Sequence, residues 1–207
     1  MKVLMVNGSS RQCCTFTALS EIGKVLEKEG IEWEIFNIGG EPLRDCIGCG
    51  GCKNLDGACV FNDDAVNEFL KKAREADGYI FGSPVYFAHP SGRIISFLDR
   101  AFVAGKKIFT HKPAACITSA RRGGTTASYD VLNKYLGICQ MPVVSSSYWN
   151  MVHGNTPEEV LKDEEGMQTM KNLGKNMAWL LKCIELGKKN GINAPENITT
   201  VRTNFIK

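Results

Sequence analysis

The stretch Lys2-Val3-Leu4-Met5-Val6-Asn7-Gly8-Ser9-Ser10-Arg11-Gln12-Cys13-Cys14-Thr15-Phe16-Thr17-Ala18-Leu19 opens the chain and decides its fold. Residues 2–7 are a short apolar run that stops at Gly8. A polar loop follows, and then Leu19, Ile22 and Leu26 recur at helical spacing until Gly30. Strand, loop and helix in that order place residues 8–17 where free backbone N–H groups and the helix dipole favour an anion. Ser9, Ser10, Thr15 and Thr17 add hydroxyls and Arg11 adds charge, with Cys14 in the same loop. The loop lacks the Gly-x-Gly-x-x-Gly of dinucleotide folds and the Gly-Lys-Ser/Thr ending of a P-loop. Two readings stay open from this loop alone: a well-made helix cap, or the seat of a monophosphate.

Outward from this unit the alternation continues. Ile31 to Ile38 reads as a second strand, ended by Gly39-Gly40, and residues 39–62 hold four cysteines and six glycines without periodicity. Asp63-Asp64 can cap a helix with Val66, Phe69, Leu70 and Ala73 on its apolar face, and Gly78 to Gly82 is a third strand. After a loop over Ser83 to Pro90, Ile94, Ile95, Leu98 and Phe102 mark a helix, and Ala114 to Thr118 a fourth strand. A turn at Arg121 to Gly124 leads to a helix with Val131, Leu132 and Tyr135, and Pro142-Val143-Val144 reads as the fifth strand. Thr156-Pro157-Glu158-Glu159 starts the last helix with a cap, a first-turn proline and a capping-box glutamate. Met167, Met170, Leu173, Met177, Leu180, Leu181 and Ile184 give that helix a long apolar stripe, read as core packing with a subunit interface as the alternative.

Five strands alternating with helices imply an α/β three-layer sandwich, because parallel strands need right-handed helical crossovers that cover both faces of the sheet. One domain over 1–187 is expected, with 39–62 inserted after the second strand and 188–207 as a polar tail. In such sheets ligands bind beyond the carboxyl ends of the strands, here the loops 8–17, 39–62, 83–90 and 119–125.

Composition narrows the function. At 207 residues, with 43% hydrophobic and 23% charged residues, the chain reads as an ordinary globular one. The net charge of +3 comes without a basic run, which argues against nucleic acid, and it lacks the acidic face of a small carrier that docks on basic partners. No stretch approaches the roughly 20 apolar residues of a membrane helix. The apolar start is too short for a signal-peptide core, so the expected compartment is the cytoplasm. There nine cysteines stay reduced, and clustered ones read as metal ligands or redox groups.

The clustered ones are Cys46-x2-Cys49-x2-Cys52-x6-Cys59, with Gly48, Gly50, Gly51 and Gly57 among them. Three cysteines at this spacing can wrap one cubane. The two-cluster ferredoxin run places its fourth cysteine after three residues, followed by Pro, and neither feature is present. Zinc knuckles are usually paired across a longer loop. An iron–sulfur cluster, zinc and a metal-free loop remain as readings of the spacing. Cys13, Cys14, Cys116, Cys139 and Cys183 read as packing thiols.

Two further loops bear on the anion. Gly82-Ser83-Pro84-Val85-Tyr86-Phe87 offers backbone donors and aromatic surface to a flat ring, and Ser119-Ala120-Arg121-Arg122-Gly123-Gly124-Thr125 offers a second Gly-rich turn for its other edge. With these the monophosphate narrows to that of FMN. The sequence resembles the NAD(P)H-dependent FMN reductase and iron–sulfur flavoprotein group of the flavodoxin-like superfamily over about residues 1–155. The resemblance rests on Asn7 to Arg11, Cys14 to Leu19, Gly82 to Tyr86, Ser119 to Gly124 and Tyr148-Trp149-Asn150. At position 10 the family often has Pro, and this chain has Ser.

That resemblance implies a flavodoxin-like sheet of order 2-1-3-4-5. It implies FMN held at its phosphate by Ser9, Arg11, Thr15, Phe16 and Thr17, with Pro84, Val85, Tyr86, Phe87 and Arg121, Arg122, Gly123 and Gly124 bordering the isoalloxazine and Ser119 beside them. It further implies NAD(P)H as co-substrate, a compact [4Fe–4S] motif at the four clustered cysteines, and a flavin site completed across a homodimer or homotetramer. Tyr148, Trp149, Asn150 and Met151, placed after the last strand, would expose aromatic surface to such a partner. The expected function is an FMN-dependent oxidoreductase passing electrons from NAD(P)H or a reduced carrier to a small-molecule or protein acceptor. A cluster-free quinone, azo, nitro or flavin reductase and a non-enzymatic flavin carrier are the alternatives. No side chain needs to act as acid or base; Tyr86, His89 and His111 are the candidate proton donors and read as surface or packing residues.

Overall fold

Residues 1–206 are described by a computed structural model; Lys207, the last residue of the expected tail, lies outside them. The strands are β1 (Lys2–Asn7), β2 (Glu32–Asn37), β3 (Gly78–Tyr86), β4 (His89–Pro90), β5 (Ala114–Ala120) and β6 (Met151–His153). The helices are α1 (Cys14–Lys28), α2 (Ala65–Ala73), α3 (Gly92–Phe109), α4 (Thr125–Ile138), α5 (Pro157–Lys162) and α6 (Glu164–Lys189). The parallel sheet runs β2-β1-β3-β5-β6, with β4 antiparallel on β3.

Alternation along β1 builds the layers. Leu4 and Val6 face a cluster with Val66, Phe69 and Leu70 of α2, Ile94 and Phe97 of α3, and Leu132 and Leu136 of α4. Val3 and Met5 face the opposite cluster, with Leu19 and Ile22 of α1, Val160 of α5, and Met167, Met170, Leu173 and Met177 of α6. Both faces of the strand are therefore covered, which is why β1 reads as a continuous apolar run. The methionine stripe is core packing on the described face. The structure is the three-layer, flavodoxin-like sandwich, and its five parallel strands keep the expected order.

Three local expectations change. Pro142-Val143-Val144 does not form the last strand: Ala114 and Val143 make an isolated bridge, and β6 pairs with Thr118 to Ala120 instead. Pro142 O accepts from Ala114 N–H at 3.0 Å and Val144 N–H donates to Ala114 O at 2.8 Å, so the segment touches only the start of β5, and only Val144 of the three is buried. Tyr148 to Asn150 consequently precede the last strand and Met151 lies in it. Tyr148 and Trp149 are exposed, whereas Asn150 and Met151 are buried. The final helix is broken at Asp163, whose side chain accepts from Gly166 N–H and starts α6 afresh. The loop 83–90 is mostly ladder: β3 continues to Tyr86 and folds back on His89 and Pro90 through a two-residue turn. No helix among the described residues is long and apolar enough to cross a membrane.

Candidate functional site

The carboxyl ends of β1, β3 and β5 meet at one cavity of about 190 Å³. Gly8 begins it. Its N–H donates to Gly82 O at 2.8 Å, and a Cβ there would lie 2.5 Å from the same oxygen, so only glycine lets the loop leave between β1 and β3. Asn7, fully buried, organises the turn: its Nδ2 donates to Arg11 O at 3.1 Å and Asn37 Oδ1 at 2.9 Å, and its Oδ1 accepts from Ser9 N–H at 3.3 Å. Ser9 Oγ accepts from Arg11 N–H at 3.1 Å. Thr15 Oγ1 and Ser119 Oγ lie 2.7 Å apart and tie the first turn of α1 to the end of β5.

Helix starts distinguish this end of the molecule. α2, α3, α5 and α6 are capped by the side chains of Asp64, Ser91, Thr156 and Asp163. α1 and α4, whose N-cap positions are Cys13 and Gly124, have no side-chain cap and no acid in the first turn. Their leading N–H groups are left for an external acceptor.

Of the residues expected from sequence, Ser9, Arg11, Cys14, Thr15, Pro84, Val85, Tyr86, Ser119 and Arg121 line the cavity. Phe16, Thr17, Phe87, Arg122, Gly123 and Gly124 stand outside its wall. The Thr17 hydroxyl is spent on Cys13 O at 3.1 Å, within the helix. Phe87 is fully exposed at the tip of the β3–β4 turn, where it and Ala88 have φ of 53° and 58°. That turn seats on Gly124, whose φ is 97° and whose added Cβ would lie 2.5 Å from Ala88 Cα. Cys13, Ala120, Gly154 and Asn155 complete the wall. The last two follow β6, which the sequence placed elsewhere, so no local signal pointed to them. Cys14 Sγ lies 3.8 Å from Cys13 Sγ and donates to Gly154 O at 3.6 Å. Burial, and then the Cys13 thiol, push its pKa up to about 11. Of the candidate proton donors only Tyr86 reaches the cavity; His111 lies just before β5, at the amino end of the sheet.

A second cavity, of about 270 Å³, is lined by all four of Cys46, Cys49, Cys52 and Cys59 together with Arg100. Among the described residues no three or more Cys, His, Asp or Glu groups stand close enough to hold a metal ion, so ligation needs the thiols to turn inward. Gly48, Gly50 and Gly57, all with left-handed φ, turn the backbone between these cysteines. Arg100, 1% exposed, pins the loop. Its Nε donates to Cys59 Sγ and its Nη1 to Arg44 O, each at 3.3 Å, while Nη2 donates to Phe61 O at 3.1 Å and Nη1 also pairs with Asp64. Burial works to lower the Arg100 pKa, but the bonds from Asp64 and Cys59 outweigh it and hold the guanidinium above its ordinary value. Asn67 clamps the same segment, accepting from Cys59 N–H at 2.7 Å and donating to Cys59 O at 2.8 Å and Phe61 O at 3.0 Å. Sequence reading passed over Arg100; its signal was a charge beside the apolar stripe of α3.

The sequence profile of NADPH-dependent FMN reductases matches residues 1–156. An iron-sulfur flavoprotein of Methanocaldococcus jannaschii is 34% identical over 197 residues, covering 89% of this chain and 100% of its own. An iron-sulfur flavoprotein of Methanosarcina thermophila is 30% identical over 193 residues, covering 89% and 97%. Among solved structures, a flavodoxin from the domain Archaea superposes with a TM-score of 0.61 at 16% identity, over 88% of this chain and 99% of that one.

Proposed function

The chain belongs to the NADPH-dependent FMN reductase family, and from that premise we propose that it is an FMN-binding oxidoreductase drawing electrons from NAD(P)H or a reduced carrier. The observation that carries the reading is the uncapped start of α1, facing a cavity walled by Ser9, Arg11 and Thr15 at the carboxyl end of the sheet. The hydroxyls of Ser9 and Thr15 and the Arg11 side chain stand in that wall without a carboxylate in the first turn of α1, which suits a phosphate. The enclosed volume of about 190 Å³ falls below the roughly 300–1,000 Å³ of ordinary ligand pockets. That suits the anionic end of the cofactor alone, with Pro84, Val85, Tyr86 and Arg121 of the same wall placed to border a flat ring.

When bound, FMN supplies the capacity to take a hydride and release electrons singly or in pairs. The chain's own residues bind and orient. The amides of α1 with Ser9 and Thr15 hold the phosphate, and Arg11 offsets its charge. The Thr15–Ser119 contact keeps the first and fourth parallel strands' loops in register. The free N–H groups at the start of α4 would favour negative charge on a ring held beside them.

The four cysteines would hold a [4Fe–4S] cluster, with Arg100 compensating thiolate charge beside Cys59. Their shared cavity is the observation that favours this over a metal-free loop. A cluster passes one electron at a time, so it would link the two-electron flavin to a one-electron partner. A second copy of the chain, docked on exposed Tyr148 and Trp149, would complete the assembly.

Anaerobic purification tests the reading through the flavin, iron and acid-labile sulfide content and the rates of NADH and NADPH oxidation. One FMN per chain is expected, retained or taken up on titration. A protein that neither retains nor takes up FMN would sink the proposal. FMN without iron would leave a reductase of quinones, azo or nitro compounds or free flavin.

A further inference from the structure

Two thiols in the wall of the cofactor cavity have no part in the reaction proposed above. Cys13 is the N-cap of α1 and Cys14 its first residue. Their Sγ atoms are 3.8 Å apart, both side chains are partly exposed, and both face the cavity that Ser9, Arg11 and Thr15 wall. We propose that Cys13 and Cys14 form a redox-active dithiol whose closure to a vicinal disulfide weakens the seat of the FMN phosphate. The effect on FMN rests on the functional reading above; the reactivity of the pair does not.

The coupling follows from the peptide between them. Adjacent Cα atoms are held about 3.8 Å apart by a trans peptide, below the usual disulfide span of about 4.4–6.8 Å. The sulfurs must close from 3.8 Å to about 2.05 Å, and the Cα atoms cannot separate to relieve the strain. The linking peptide has to turn instead. Its carbonyl, Cys13 O, accepts the Thr17 N–H at 2.9 Å and the Thr17 hydroxyl at 3.1 Å, the two bonds that start α1. Turning it releases both and disorders the amides that no side chain caps. The strain also makes the disulfide one that small thiols reopen readily.

A low-molecular-weight disulfide is the oxidant. The Cys14 thiol is engaged with Gly154 O at 3.6 Å, so attack starts from the Cys13 sulfur. It forms a bond to one sulfur of the reagent, the reagent's S–S bond breaks, and the departing sulfur carries away the electron pair and a proton. Cys14 sulfur then attacks Cys13 sulfur, the mixed disulfide breaks, and the second reagent sulfur leaves with the Cys14 proton. Two protein thiols lose two electrons, and one reagent disulfide becomes two thiols. Reciprocity requires that bound FMN slow this closure by the same preference with which closure weakens FMN.

Trypsin isolates the pair, because cleavage after Arg11 and Lys24 yields residues 12–24, which contain no other cysteine. The full-length protein is treated with oxidised glutathione, alkylated, digested and weighed, while FMN affinity is read in parallel by fluorescence quenching. The expected result is a 12–24 peptide two hydrogens lighter and unalkylated, restored by dithiothreitol. FMN affinity should fall about tenfold, the loss of one or two hydrogen bonds to a charged group, and FMN present during oxidation should protect the peptide. In Cys13→Ser the same treatment should change FMN affinity less than about twofold relative to the untreated variant.

A peptide that stays doubly alkylated overturns the proposal, and so does an oxidised peptide with unchanged FMN affinity. A reduced protein that takes up no FMN overturns the functional reading, and the peptide mass still decides the dithiol separately.

Discussion

At the residue scale, the site is set by positions where backbone geometry leaves no alternative. Gly124 has φ of 97°, and an added Cβ would meet Ala88 Cα at 2.5 Å. Gly124→Ala should therefore cost about 1–3 kcal/mol, through left-handed strain and the displaced β3–β4 turn. A lower urea midpoint at unchanged slope checks this. Arg100 is the opposite kind of residue, a buried charge with four kinds of partner. Arg100→Met leaves the Asp64 carboxylate buried and unpaired, and about 3–5 kcal/mol of stability should be lost. The double variant Arg100→Met with Asp64→Asn should recover part of that loss in the same denaturation assay, since the two residues act as a pair.

At the element scale, Asp163 turns one expected helix into two. One carboxylate oxygen accepts from Gly166 N–H at 3.0 Å and the other from His153 N–H at 2.7 Å, so it starts α6 and fastens β6 to it. Asp163→Ala should lower stability by about 1–2 kcal/mol and loosen the edge strand beside Gly154 and Asn155, visible as faster amide exchange over 151–155. Glu34 joins three elements: Lys72 of α2 and Lys2 of β1 bond it, at 2.7 Å and 2.9 Å. The bonds from Lys72 and then Lys2 hold its pKa below the usual carboxylate value. A carboxyl lowered on folding adds stability above its unfolded pKa of about 4.3 and gives it up as pH falls through the folded value. Glu34→Gln should therefore flatten the acid limb of a pH–stability curve, and, because the bond from Glu34 is what chiefly raises Lys2, it should also remove the loss that sets in as pH rises through the Lys2 value.

At the scale of the whole molecule, ligand and fold are linked by mass action. The proposed FMN site is built from the carboxyl ends of β1, β3 and β5, which come together only in the folded chain. Added FMN should raise the melting temperature of stripped protein, with a gain of about 2.7 kcal/mol when free FMN reaches 100 times its Kd. Riboflavin, which lacks the phosphate, should stabilise much less at equal concentration, because it would leave the proposed phosphate seat empty. Equal stabilisation by both would place the binding energy in the ring site and remove the phosphate argument.

The sequence by itself determined the layered α/β fold and the first loop. Val3 to Val6 must be buried on both faces, and Gly8 to Thr17 must lie where a parallel strand feeds a helix. Ser9, Arg11 and Thr15 were legible for that reason, being local in sequence to the unit that positions them. Only the tertiary structure decided what is non-local. It set the last strand at 151–153, because 142–144 reaches β5 only at Ala114 whereas 151–153 pairs with Thr118 to Ala120. With that placement Gly154 and Asn155 reached the cavity, and Phe87 was carried out of it onto a turn. Cys13 and Cys14 read as packing thiols in sequence, since nothing local says what a thiol faces. Arg100 read as one charge on a helix, and its contacts with Cys59, Arg44, Phe61 and Asp64 come from segments 36 to 56 residues away. Local hydrogen bonding and hydrophobic period write secondary structure into the chain, whereas partners that distant in sequence are chosen only when the layers pack.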